Sequence, residues 1–247
     1  MAVRGGELAS EPIHVRPLGD GKFRALVAIP IEAPESLPLT LILERSGQKD
    51  TQVVFFRVSR SSYPSETLTV PPAYARPDSA ASARIQSEIE RSRKISHASQ
   101  QRPRQWRGPF VLPRPSRITS RFGTARVYNG EVQSRHLGTD FAGAIGAPVR
   151  AAGRGVVALV ADFYLAGRAV YIDHGAGLVT AYFHLSRADV RQGQLVAAGQ
   201  QIGAVGRSGR VTGPHLHWVA RYGEISVDPM SLLRLANSQK GRVKSEQ

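Results

Sequence analysis

Short apolar runs dominate the first sixty residues. Ile13 to Arg16, Phe23 to Pro30, Leu37 to Glu44 and Gln52 to Val58 are rich in Val, Ile, Leu and Phe. Turn-forming stretches, Gly19 to Gly21 and Gly47 to Asp50, fall between them. Strands of this length at this spacing predict a small antiparallel β-sandwich over residues 1–60.

The pattern changes at Ser61. Pro64, Pro71, Pro72 and Pro77 predict an extended segment over 63–77, because proline fixes φ and removes a donor. Asp78 or Ser79 can then cap a helix running to about Ile95. Ile85 and Ile89 share one face of it, and Glu90 precedes Lys94 by four residues. Residues 61–104 therefore read as a proline-rich and helical connector, followed by a polar, basic stretch in which Trp106 and Phe110 are docking points. The connector has the reach to fold the N-terminal domain back over the following one, or to act as a plain spacer. A second domain spans 105–237, with strands expected at Val149–Ala161, Arg168–Asp173, Gly177–His184 and His215–Arg221. A helical pattern appears only at Pro229–Ala236, and 238–247 is a polar tail. The fold class is mainly β.

At 247 residues the chain can build two cores. No run approaches the roughly 18 apolar residues of a membrane helix. Met1 to Ser10 lacks the apolar core of a secretory signal. With no cysteine, disulfides, thiol catalysis and Cys-type zinc sites are excluded, so any metal rests on His, Asp and Glu. The net charge is +14, and between Arg91 and Gly130 stand ten Lys or Arg with no Asp or Glu. An anionic partner, such as an acidic cell-wall polymer, accounts for this as well as a genomic bias toward arginine does.

Four of the seven histidines lie among other strong signals in the second domain. In His136-Leu-Gly-Thr-Asp140, Gly138 and Thr139 argue for a loop entering a strand, which can still bring His136 and Asp140 to one ion. In His215-Leu-His217, a strand would put both imidazoles on one face and Leu216 and Trp218 on the other. In Tyr182-Phe-His184, the same period puts Tyr182 and His184 on one face. Imidazoles and one carboxylate, with no thiolate, suit a zinc ion that keeps an open position. Surplus histidines would shuttle protons beside it. Spacing does not decide which member of the His215/His217 pair is the ligand.

These segments resemble the lysostaphin/LytM-type zinc metallopeptidases of the M23 family. So do Ser208-Gly-Arg-Val-Thr-Gly-Pro-His215, Gly146-Ala-Pro-Val149, Ala152-Gly-Arg-Gly155 and Gly193 to Gly203. The resemblance covers about Phe110 to Leu233. It implies one Zn²⁺ per chain on His136, Asp140 and His217, with His184 and His215 as metal-free catalytic histidines. It implies hydrolysis of the peptide cross-links or stem peptides of bacterial peptidoglycan. The N-terminal sandwich and connector resemble the accessory region of Gram-negative members, which makes a D,D-cross-link the first choice. Location would then be periplasmic or cell-envelope, with any signal peptide already removed, and a regulatory or anchoring protein partner fits that setting. Some relatives lack site residues and act only as activators of other wall hydrolases; here all five positions are filled.

Arg121, Arg126 and Asn129 precede the first ligand and are candidates for the substrate groove, with Arg121 or Arg126 facing a substrate carboxylate; a solvated basic loop is the equal alternative. His14 reads as a surface or strand residue, His97 as a solvated side chain and His174 as a turn residue. The glycine- and valine-rich hairpins also suggest a lipoyl-type carrier, but no lysine lies between Lys94 and Lys240 to carry the group. A nucleic-acid binder would use the basic stretch with Trp106, Phe110 and Phe122, yet would leave the histidines unexplained, so no nucleic acid is expected.

Overall fold

A computed structural model describes residues 2–59, 61–130 and 132–235, with the side chains of Val132 and Gln133 excepted. The strands are β1 (Ala2–Leu8), β2 (Glu11–Pro12), β3 (His14–Gly19), β4 (Lys22–Leu26), β5 (Ser36–Arg45), β6 (Gln48–Arg57), β7 (Ser65–Leu68), β8 (Ile118–Ser120), β9 (Ala125–Tyr128), β10 (Val132–Arg135), β11 (Thr139–Ala142) and β12 (Pro148–Arg150). There follow β13 (Gly155–Phe163), β14 (Gly167–Gly175), β15 (Leu178–Ala188), β16 (Leu195–Val196), β17 (Gln201–Val205), β18 (His215–Tyr222) and β19 (Ile225–Val227). The helices are α1 (Pro72–Ala75), α2 (Ser79–Gln100) and α3 (Leu232–Leu235), the last entered through a 3₁₀ turn at Pro229–Ser231. The fold is mainly β and its sheets largely antiparallel. The polar tail at 238–247 and Ala236 of the expected terminal helix lie outside the described residues.

In the N-terminal region β2-β1-β5-β6 form a sheet, and β3-β4 a separate hairpin. The β5–β6 hairpin turns tightly, with Arg45 opposite Gln48. Ser46 and Gly47 both have positive φ there, as a two-residue turn demands. Strand β1 escapes an apolar-run reading because Gly5 and Gly6 interrupt it. A Cβ on Gly6 would collide with the Thr40 carbonyl, so the bare backbone is what lets β1 lie against β5. Leu8, Ile13, Ala33, Leu37 and Leu39 form the small core. Edge strand β6 is exposed along its whole length, including Val53, Val54, Phe55 and Phe56.

The connector departs from expectation. Part of it is not a free extended segment but strand β7, which pairs in parallel with β9. Proline is tolerated because the four residues of β7 contain none. Helix α2 runs to Gln100, five residues past the expected end. Asp78 caps it, its carboxylate accepting from the Ala81 N–H at 2.7 Å. It packs on β13, β14 and β15. The buried positions are Ser92, Ser96, Ser99 and Gln100, with Ile95 against the sheet. Ile85 and Ile89 instead line a groove.

The C-terminal sheet follows the path β16-β13-β14-β15-β18-β11-β8. The run expected as one strand over Val149–Ala161 is two, β12 and β13, broken by the bends at Ala152 to Arg154. Trp106 and Phe110 are buried in its main core, as docking points should be, with Phe141, Tyr182, Leu216 and Trp218. His174 is no turn residue. It is the penultimate residue of β14 and fully buried. Its Nδ1–H donates to the Arg154 carbonyl at 2.8 Å, since a carbonyl can only accept. The Nε2 then accepts from the Thr180 hydroxyl at 2.8 Å.

Candidate metal centre

Three elements bring the site together. The register sets Asp140 of β11 opposite His217 of β18, and Phe141 opposite Leu216. The alternation along β18 works as the sequence suggests: Leu216 and Trp218 are fully buried, while His215 and His217 face the other side. His136 arrives from the loop before β11 and is 1% exposed.

His184 reaches the site by another route than the period of two. Tyr182 lies opposite Trp218 and Phe183 opposite His217. Tyr182 therefore faces the core, and Phe183 shares the face of His217, stacking on it at 5.4 Å between ring centroids. His184 has φ of +61°, a left-handed conformation that costs a non-glycine residue about 1–3 kcal/mol. Beyond it β15 leaves β18 and pairs with β17. The irregular backbone turns the imidazole back toward the other histidines: its ring centroid is 4.9 Å from His215 and 5.9 Å from His217.

The donor atoms form a tight triangle. His136 Nε2 lies 3.0 Å from Asp140 Oδ1 and 2.9 Å from His217 Nδ1, and the latter two are 2.7 Å apart. Among the described residues these three are the group of His, Cys, Asp or Glu able to share an ion. His136 Nδ1 sits 2.9 Å from the Arg121 carbonyl, to which it donates. That fixes a bare lone pair on Nε2. Burial pushes His217 down to about 4, so its ring is neutral near pH 7. Burial opposes ionisation of Asp140, but the facing His217 and His136 outweigh it and hold the carboxyl well below its usual range. Lone pairs and an anion thus converge on one point, which calls for a cation. Zinc bonds of ~2.0–2.1 Å in a tetrahedron would space these atoms by ~3.3 Å, about 0.3–0.6 Å wider than the triangle and reached by small side-chain shifts. The donor set fits one Zn²⁺.

His184 and His215 are prepared alike. The Nδ1–H of His184 donates to the Ser208 carbonyl at 2.8 Å, and that of His215 to the Gly213 carbonyl at 2.8 Å. Each ring so keeps Nε2 for other work. His215 Nε2 is 3.8 Å from Asp140 Oδ1. Burial first, and then the neighbouring His215 and His217, push His184 well below its ordinary value.

The centre lies between two depressions of about 280 and 200 Å³, which share Arg126, Tyr128, His184 and Arg210. The Arg210 guanidinium lies 4.2 Å from the Tyr128 ring centre where they meet. A further groove of about 360 Å³ reaches His217 and has Ile85 and Ile89 of α2 on its wall. A cavity of about 500 Å³ beside the β3–β4 hairpin contains none of the five residues.

The three groove candidates separate. Arg121 has an exposed side chain and serves His136 through its carbonyl. Arg126 lines the cleft, but its Nη2 donates to Asp140 Oδ2 at 2.7 Å and its Nε to Glu66 Oε1 at 2.6 Å. Asn129 is removed from the groove: its amide bonds the Val70 N–H and C=O, both at 2.9 Å, and so fastens the segment after β7. His97 meets Glu224 at 2.7 Å on the surface, and His14 bonds Gln100 at 2.7 Å. Glu66 and Ser120 were missed. Ser120 stands beside Arg121-Phe-Gly123, but no local spacing links Glu66 to Ser120 and Arg126, 54 and 60 positions away.

Comparison with known proteins agrees with this geometry. Residues 134–229 match peptidase family M23. The chain is 48% identical over 105 residues to the peptidoglycan DD-endopeptidase ShyA of Vibrio cholerae, covering 41% of this chain and 24% of that protein. It is 41% identical over 117 residues to the DD-carboxypeptidase/endopeptidase Mpg of Neisseria meningitidis, covering 47% of this chain and 27% of that protein. The chain thus spans about a quarter of the length of these curated relatives. A solved structure from Pseudomonas aeruginosa, described as a candidate peptidase M23, superposes with a TM-score of 0.71 at 25% identity, over 94% of this chain and 89% of that one. With the donor triangle and its two flanking histidines, these matches establish that residues 134–229 form a peptidase family M23 domain.

Proposed function

We propose that the chain is a zinc-dependent endopeptidase that cleaves peptide cross-links or stem peptides of bacterial peptidoglycan, a D,D-bond first. His136, Asp140 and His217 would hold the ion. When bound, zinc supplies a Lewis acid that polarises a carbonyl and acidifies water. His184 and His215 do the proton work. With Nδ1 tied to a main-chain carbonyl, each can accept a proton at Nε2 and return it to a leaving amine. As imidazolium, either also steadies negative charge on the reacting carbonyl oxygen. The two depressions either side suit an extended polymer better than a closed pocket.

The observation that carries this reading is the pair of carbonyl-tethered imidazoles beside a converging donor triangle. A non-enzymatic activator needs the fold but not five filled positions. The relatives named above as DD-endopeptidases support the choice of bond, and imply action outside the cytoplasm, in the periplasm or cell envelope. The test is digestion of purified muropeptides, with products identified by mass. Release of monomers from D,D-cross-linked dimers, abolished by a chelator and restored by zinc, is the expected result. Intact dimers at every zinc concentration would leave the activator reading.

A further inference from the structure

Glu66 lies far outside the segment that carries the family match, on the connector strand β7. Its Oε1 nevertheless sits at the root of the donor triangle. It accepts from Arg126 Nε at 2.6 Å and from the Ser120 hydroxyl at 3.0 Å. Arg126 Nη2 goes on to Asp140 Oδ2 at 2.7 Å. Ser120 Oγ, its own hydrogen given to Glu66, accepts at 3.1 Å a share of the His136 Nδ1–H that also goes to the Arg121 carbonyl. One carboxylate oxygen is therefore two steps from two of the three donors.

The backbone is built to keep it there. The β7–β9 register sets Glu66 directly opposite Arg126. The pairing is clamped at both ends, by Ala125 N–H to the Pro64 carbonyl at 2.8 Å and Asn129 N–H to the Leu68 carbonyl at 2.9 Å. The Asn129 amide adds its two bonds to Val70. A slip of one residue would turn Glu66 to the other face. The Arg126 side chain is only 14% exposed and bridges the two carboxylates. Held by Glu66, it takes Asp140 Oδ2 and leaves Oδ1 toward His136 and His217.

We infer that Glu66 is a positioning residue of the metal centre, so that the connector is a working part of the zinc site and not only a tether. This rests on the zinc reading above. Outer partners of metal ligands typically change affinity by ~10–100-fold. The experiment is a competition titration of the full chain with zinc against a chromogenic chelator. Glu66→Gln and Arg126→Gln should each weaken zinc about 10–100-fold. The double variant should lose no more than the worse single one, because both cut one link. Glu32→Gln is the control: it removes an equal charge from an exposed ion pair with Arg135 and should leave affinity unchanged. Wild-type affinity in Glu66→Gln, losses that add in full in the double variant, or an equal loss in Glu32→Gln would each overturn the inference while sparing the zinc reading. No zinc bound by the wild type would overturn both. If Glu66→Gln does not fold, Arg126→Gln and Ser120→Ala cut the two links from the other side, and unchanged affinity in both would overturn it equally.

Discussion

The two sheet regions of this chain are built to different standards. The C-terminal region buries 21 apolar residues in one cluster and 7 in a second, whereas the N-terminal sheet gathers 5. Of the large apolar side chains left exposed among the described residues, Leu18, Val27, Ile29, Ile42, Val53, Val54, Phe55 and Phe56 all belong to the first sixty positions. The C-terminal region also holds the five convergent polar groups, and the N-terminal region holds none of them. A left-handed histidine and buried imidazoles are costly, and only the larger core can carry them. The lesson is that the thin region takes its order from the thick one. It is seated there by Glu11, which accepts from the Glu224 N–H and the Gln100 amide, and by the Tyr222 hydroxyl, which donates to the Pro12 carbonyl.

The sharpest way to break this contrast is at the centre. His136→Ala, Asp140→Ala and His217→Ala should each empty the zinc site, since three ligands leave no redundancy. Metal analysis after dialysis decides it, and a full complement in any of them removes that residue from the site. Next in size, His184→Ala and His215→Ala should keep zinc and lose about 10²–10⁴-fold in turnover on a soluble cross-linked dimer. Loss of metal from His215→Ala with retention in His217→Ala would mean the pair is reversed.

A third measurement probes the thick core through His174, which burial pushes down to about 4 from 6.5. Below pH 6.5 the unfolded chain takes up a proton that the native ring refuses. Stability is therefore whole above about 6.5 and falls as pH drops toward about 4, by at most roughly 3 kcal/mol. Urea midpoints of the wild type should fall more steeply across that window than those of His174→Gln; parallel curves would show that the ring titrates freely. The smallest effect belongs to the seam. Glu11→Ala strands the buried Gln100 amide and the part-buried Glu224 N–H and should cost about 1–3 kcal/mol without touching zinc content. A drop in zinc there would show that the two regions are coupled more closely than their contacts indicate.

What could be read from the sequence followed short-range spacing. Leu216 and Trp218 packing under His215 and His217 is a property of any strand, and Asp140 follows His136 closely enough for one loop to converge them. The N-terminal hairpins announced themselves through apolar runs and turn residues in the same way. The period of two failed at Tyr182 and His184 because it assumes regular backbone, and φ at His184 is not regular. Strand β7 was hidden because its neighbours are prolines and its partner, β9, comes some sixty residues later. Asn129 looked like a groove residue by position, but its amide is used up on Val70. Pairings that depend on the assembled fold leave no trace in local pattern.

Strand β6 has a practical meaning of its own. Ten residues long, at the rim of its sheet, with Phe55 68% exposed, it offers a row of unpaired amides flanked by oil on both faces. Strands of that kind zip to one another when molecules are crowded. Shelf life in the laboratory should thus be governed by the end of the molecule that carries no chemistry, and a lysine at Phe55 should extend it more than any repair near the histidines.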